Sequence, residues 1–294
     1  MLQKELFKQS LHKALASSWI VIKLVVPIYI LADLLYYYNL LSYVSFLVEP
    51  FTSFLGLPAE TSLAIISGMF LNLYAAIAFA APLDMTPHQW TVLAVFLGVC
   101  HSLVVESAIM KKVGVSSLYS YSLRIFAGLV MAYSTSLMPE SLFSSSLVDE
   151  TFTKTEYESF TELLTGSLSE AFVLSVKIVL LISVLIFFMD YLKSRAFMKN
   201  SAKHLSKGFS IMTGIILGVT YGAGILIKES NTLNRSDLFY IATFLSICHA
   251  IIEDTLLFVI FGADFTMVIV IRTVWALVLA YLLTSMHKMR SSER

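Results

Sequence analysis

Residues 94–114 read AVFLGVCHSLVVESAIMKKVG, and residues 242–262 read ATFLSICHAIIEDTLLFVIFG. At an offset of 148 residues they agree at Ala94/Ala242, Phe96/Phe244, Leu97/Leu245, Cys100/Cys248, His101/His249 and Gly114/Gly262, with Glu106 against Asp254. The frame continues without a gap through Arg124/Arg272, Leu129/Leu277, Val130/Val278, Ala132/Ala280 and Tyr133/Tyr281. Apolar matches arise by chance in any lipid-facing chain. Both cysteines of the protein, two of its six histidines and two arginines among apolar residues do not. The chain therefore carries an internal duplication.

Composition sets the class of the duplicated unit. Hydrophobic residues make up 57% and charged residues 14% of 294 positions, with mean hydropathy +0.81. That apolar share exceeds what a soluble core can hide, so much of the surface faces lipid. The 20 basic and 20 acidic residues cancel, and a nucleic-acid partner, which needs a basic face, is excluded. The start (Lys4, Lys8, Lys13) leads into a long apolar run from Trp19 without a small-residue cleavage pattern, so the first helix is expected to be retained.

A spanning helix needs about 20 mostly apolar residues. Such runs are expected at 18–38, 61–82, 90–110, 117–138, 171–192, 208–228, 237–260 and 265–286. They lack the period-2 alternation of a barrel, so the fold is all-α: a polytopic integral membrane protein of about eight transmembrane helices in two pseudo-symmetric repeats, with interfacial or re-entrant helices. Segment 40–57 is short and holds Pro50, while 194–207 reads as an amphipathic interfacial helix. The expected organisation is a first repeat over 1–138, an acidic polar linker over 139–169 and a second repeat over 170–294. Earlier parts of the repeat align loosely, through Lys23/Lys177, Asp33/Asp190 and Gly68 near Gly218. Four crossings per half would make the halves parallel; a broken or re-entrant span in each would invert them. The positive-inside rule puts Lys111, Lys112 and 193–207 in the cytoplasm and the linker outside, but the basic termini do not fit that count.

Duplicated halves are a common plan for secondary transporters, with the solute site near midplane at the repeat interface. Ionisable residues in hydrocarbon are costly and mark a site or a buried pair. His101 and His249 lie eleven residues after Trp90 and Leu238, roughly 16 Å into a helix and so near midplane. If the helix is continuous, Glu253 shares a face with His249, one turn on. Each span then turns and returns through its arginine, at depths that allow Arg124 to pair with Glu106 and Arg272 with Asp254. The candidate substrate-binding set is His101, Glu106, Arg124, His249, Glu253, Asp254 and Arg272. Cys100, His101, Cys248, His249 and Glu253 also supply the ligand types of a borderline transition metal. Adjacent residues point about 100° apart on a helix, so Cys100 and His101 share one ion only if the helix unwinds. Each feature has an architectural reading too. Buried ion pairs can simply hold register, intramembrane histidines can bond neighbouring helices, and the cysteines can be small packing residues. Gly68, Asn72, Gly218, Gly222 and Gly224 mark close packing or a broken helix. No Walker loop, dinucleotide fingerprint or nucleophile elbow is present in the sequence.

Short motifs carry a resemblance. Lys23-Leu-Val-Val-Pro27, Gly56-Leu-Pro-Ala-Glu60, Gly68-x-x-x-Asn72 and the His-x-x-x-x-acid element resemble the nucleoside-recognition, or Gate, domain family. Related domains occur in the membrane part of ferrous-iron permeases and in concentrative nucleoside transporters. The resemblance implies an inner (plasma) membrane permease moving a small polar solute or ion, of divalent-metal, nucleoside-like or anionic type. No catalysis and no resident cofactor are expected; a transition-metal ion would be substrate. Expected partners are lipid, the solute or ion, and a second copy or another membrane protein. The alternatives are a non-transporting scaffold and, third, an intramembrane acid–base enzyme. The second half lacks the Pro-x-Glu and Asn elements, which speaks against a symmetric site.

Overall fold

The computed structural model describes residues 2–40, 49–144, 157–194, 214–215 and 234–292. Every regular element among them is helical. These are α1 (Leu2–Tyr37), α2 (Thr61–Phe70), α3 (Leu73–Ala80), α4 (Pro87–Cys100), α5 (Leu103–Lys112), α6 (Ser117–Ser136), α7 (Phe160–Ser194), α8 (Arg235–Ile247), α9 (Ile251–Val259) and α10 (Phe265–Ser292), with a 3₁₀ turn at Glu140–Leu142. Residues 49–54 are also helical. The expected interfacial helix over 194–207 and the span over 208–228 lie almost wholly outside the described residues. Helix α7 begins at Phe160, ahead of the expected span at 171.

Five stretches are long and apolar enough to cross a membrane: Phe7–Tyr37, Pro87–Lys112, Phe160–Phe188, Arg235–Val259 and Phe265–Met289. Helix α6 has 20 residues, about 30 Å, and packs along α4. The segment expected as one crossing at 61–82 is instead a hairpin. Its helices of 10 and 8 residues reach only about 15 and 12 Å, half a hydrocarbon core. A Cβ on Gly68 would lie 3.0 Å from Ala76 Cβ, an approach impossible in a straight helix, where residues eight apart are separated by about 12 Å. Asn72 makes the turn, accepting from Ala75 N at 3.1 Å as the N-cap of α3.

With the hairpin excluded, α1, α4–α5 and α6 give an odd number of crossings among the described residues of the first half, and the second half is inverted. His88 at the start of α4 meets Thr135 O at the end of α6 (2.9 Å), and Tyr36 at the end of α1 bonds Phe79 O at the end of α3 (2.8 Å). These residues share one end of the bundle. The α9–α10 turn lies there too: Phe261 stacks on Trp90, and Asp264 N donates to Thr91 Oγ1 at 2.8 Å. Its repeat equivalent, the α5–α6 turn, lies at the opposite end, where Tyr119 packs on Phe239 and Phe239 on His287. The first helices of the two halves run antiparallel: Ser10 bonds Asp190 (2.8 Å), while Tyr29 bonds Glu170 (2.7 Å). The arrangement that the sequence left open is thus the inverted one.

Inversion also accounts for the basic termini. The start of α1 with Lys8 and Lys13, the end of α5 with Lys111 and Lys112, Arg235 and Lys288 all fall at the same end, the terminal end. At the other, the linker end, Glu60, Asp84, Glu140, Glu158 and Glu162 appear, with no Lys or Arg among the described residues there.

Helices α4 and α8 form the centre. From Trp90 to Cys100 every residue of α4 is buried, and so is every residue of α8 from Ile241 to Ile247, as expected of helices apolar all round. Helices α1, α7 and α10 expose Trp19, Ile20, Phe172, Leu180 and Tyr281, the faces available to lipid.

Candidate functional site

The two central helices start as the sequence dictates and stop where it does not. Thr86 caps α4 in a capping box with Gln89, with Pro87 in the first turn. Asn234 caps α8, accepting from Asp237 N at 2.7 Å. Both helices then break halfway. His101 is extended and Ser102 left-handed (φ 45°); Ala250 is left-handed in the same place (φ 43°). A left-handed non-glycine residue costs of order 1–2 kcal/mol, so the surroundings enforce the break. Ser102 N donates to Gly68 O at 2.9 Å, and Ala250 N approaches Gly214 O at 3.4 Å. The repeat partner of Gly68 is therefore Gly214 and not the neighbourhood of Gly218, which lies outside the described residues. A Cβ on Gly68 would meet Leu97, and one on Gly214 would meet Leu245, residues equivalent in the 148-residue frame.

Broken helices leave carbonyls without partners at midplane, where no water replaces them. The two arginines fill that role. Arg124 Nε donates to Val99 O (2.6 Å) and Nη2 to His101 O (2.7 Å). Arg272 Nη2 donates to His249 O (3.0 Å) and, across the repeat interface, to Gly98 O (2.6 Å). A cation at a helix C-terminus is also favoured by the helix dipole. Both side chains are almost wholly buried. Gly98 was not singled out in the sequence, yet it makes the crossing contact possible: a Cβ there would stand 2.8 Å from Arg272 Cζ. Its repeat partner is Ser246, and that difference between otherwise matching segments is the signal that marks it.

Each arginine also has its carboxylate. Arg272 is 3.3 Å from Asp254 Oδ2. Arg124 Nη2 is 2.7 Å from Glu106 Oε2, but Nε and Nη2 donate to carbonyls, so this pair is held by charge more than by a directed hydrogen bond. Arg124 Nη1 and Arg272 Nε are buried without a hydrogen-bond partner.

The imidazoles break the symmetry. His101 Nε2 and His249 Nε2 each lie 3.1 Å from Glu106, and the two rings are 5.3 Å apart. Both histidines thus converge on the carboxylate of the first half, while Asp254 stays with Arg272. The break permits this, because on a continuous helix Glu106 would point about 140° away from His101. Among the described residues, His101, Glu106 and His249 form a group whose ligand atoms all lie within 4.8 Å of one another. Cys100, Cys248 and Glu253 are outside it. Cys100 Sγ donates to Arg124 O at 3.2 Å. Glu253 does not share a helical face with His249, since His249 lies in the break and the next helix begins only at Ile251.

Residues 18–140 match the family described as Gate, nucleoside recognition. The chain is 26% identical over 290 residues to an uncharacterized membrane protein of Bacillus subtilis (strain 168), YvoD, over 94% of this chain and 93% of that protein. No solved structure matches it. The first repeat thus carries the match to the Gate, nucleoside-recognition family, within a polytopic helical membrane protein.

Proposed function

We propose that the chain is a plasma-membrane (inner-membrane) permease that passes a small polar solute or ion through the junction of its two inverted halves. One observation carries the reading: two discontinuous helices break opposite each other at midplane and bring a histidine from each half onto one carboxylate. Discontinuous helices at the interface of inverted repeats are how secondary transporters build solute sites, and rocking of one half against the other would expose such a site alternately. His101, His249 and Glu106 are the solute-facing groups. Arg124 and Arg272 hold the broken helix ends and balance charge, with Asp254 as the second counter-charge. The positive-inside rule puts the terminal end in the cytoplasm and the linker end outside. A non-transporting scaffold would explain the arginine caps and one histidine bonding a neighbouring helix, but gives no reason for a histidine from each half to converge on a single carboxylate that Arg124 already neutralises.

The test is flux into proteoliposomes carrying the purified chain, offered divalent metals, nucleosides and organic anions in turn. One class should move, and His101→Ala and His249→Ala should abolish its movement while the protein remains folded. Absence of flux for all three classes from folded wild type would put the scaffold ahead.

A further inference from the structure

We infer that His101, Glu106 and His249 form a binding site for a divalent transition-metal ion, which names the substrate class and rests on the permease reading above. The argument begins at the other ring nitrogens. His101 Nδ1 lies 2.9 Å from Leu97 O, and His249 Nδ1 lies 2.8 Å from Leu245 O. A carbonyl oxygen only accepts, so the proton of each neutral imidazole sits on Nδ1. In its neutral form each imidazole therefore turns the Nε2 lone pair toward Glu106, which is itself an acceptor. Two nitrogens and a carboxylate oxygen face one another with their electron pairs inward, an arrangement that a cation turns from repulsive to favourable.

The geometry fits a metal ion. Imidazole held through Nδ1–H to a backbone carbonyl is how metal-ligating histidines are oriented. The 3.1 Å between each Nε2 and Glu106 is close to the roughly 3.4 Å that separates ligands around a tetrahedral ion with bonds of about 2.1 Å, and the three ligand atoms lie within 4.8 Å of one another, so any closing movement on binding is small. Three protein ligands leave a coordination position open for water. Two nitrogens and one oxygen select a borderline divalent ion, such as Fe²⁺, Mn²⁺, Co²⁺ or Zn²⁺, over Mg²⁺ or Ca²⁺. The cysteines are not ligands: Cys100 is engaged with Arg124 O and Cys248 lies outside the group. Arg124, 2.7 Å from Glu106 Oε2, competes with the ion for the carboxylate's charge. Its presence weakens binding, as suits an ion that must leave again.

The deciding experiment uses the full chain purified in detergent, titrated with Co²⁺ alone at about pH 8, since metal binding displaces protons from its ligands. We expect one Co²⁺ per chain with a visible ligand-field band, displaced by Zn²⁺. His101→Ala, His249→Ala and Glu106→Gln should each weaken it roughly tenfold or more; Cys100→Ser and Cys248→Ser should leave it unchanged. Arg124→Gln should bind Co²⁺ more tightly than wild type, an outcome that no purely architectural cluster gives. If that variant does not fold, the histidine variants decide. Folded wild type that takes up no Co²⁺ at about 1 mM overturns the assignment, as does binding that survives both histidine changes. Co²⁺ bound at this site but never moved across proteoliposomes leaves the metal site standing and overturns its assignment as the transported substrate. Flux of another solute without Co²⁺ binding removes the metal site and leaves the permease reading standing.

Discussion

At the scale of single residues, the arginines do more than pair. A buried pair taken alone should lose several kcal/mol when one partner is removed and much less when both are. Arg124 departs from that expectation because it also caps Val99 O and His101 O. Arg124→Leu therefore strands two carbonyls as well as Glu106. Adding Glu106→Gln should recover the charge cost but leave about 1–3 kcal/mol for each uncapped carbonyl. Thermal unfolding in detergent should rank the variants: Glu106→Gln most stable, then the double change, then Arg124→Leu. A double variant as stable as wild type would mean the carbonyls find other donors. Gly98 allows a second measurement. Gly98→Ala drives a Cβ to within 3.0 Å of three Arg272 guanidinium atoms, and overpacking of this kind costs about 1–3 kcal/mol. It should lower thermal stability, while Ser246→Ala, at the equivalent place in the other half, should shift it far less.

At the scale of elements, the distinguishing feature is the break in α4–α5 and again in α8–α9. Neither break carries glycine or proline: the left-handed positions are Ser102 and Ala250. Local propensity gives no warning of them, and the continuous-helix reading of 90–110 and 237–260 follows naturally from the apolar run. Packing imposes the breaks, through the backbone carbonyls of Gly68 and Gly214 and through the arginine caps. Ala250→Gly should then be neutral or stabilising by up to about 1 kcal/mol, because glycine takes the left-handed conformation without strain. Ala250→Val should lose about 2 kcal/mol or more, since a β-branched residue resists it. The measurement is again the unfolding midpoint. An Ala250→Gly variant markedly less stable than wild type would show that the break is not strained there.

At the scale of the whole molecule, the inverted halves assign every described end of the chain to a side. In a cysteine-free background, Glu140→Cys should react with an impermeant maleimide added to intact cells. Lys111→Cys and Lys288→Cys should react only after the membrane is opened. Labelling of Lys288→Cys from outside while Lys111→Cys stays protected would refute the inversion, because it would place the C-terminal end and the α5–α6 turn on opposite sides.

The sequence by itself determined the all-helical membrane class, the duplication and its 148-residue frame, because lipid demands long apolar helices and because paired cysteines, histidines and arginines do not recur in register by chance. Segment 61–82 and the breaks at His101 and Cys248–Ala250 were decided only by the tertiary structure. Hydropathy measures whether a residue tolerates lipid, and a half-length hairpin buried against α4 satisfies that test as well as a crossing does. The odd number of crossings, and with it the inversion and the placement of the basic termini, followed from that one hairpin. So did the asymmetry of the site: in sequence Glu106 and Asp254 are equivalents, but both histidines turn to Glu106 because Arg272 reaches through the space left by Gly98 and keeps Asp254 to itself.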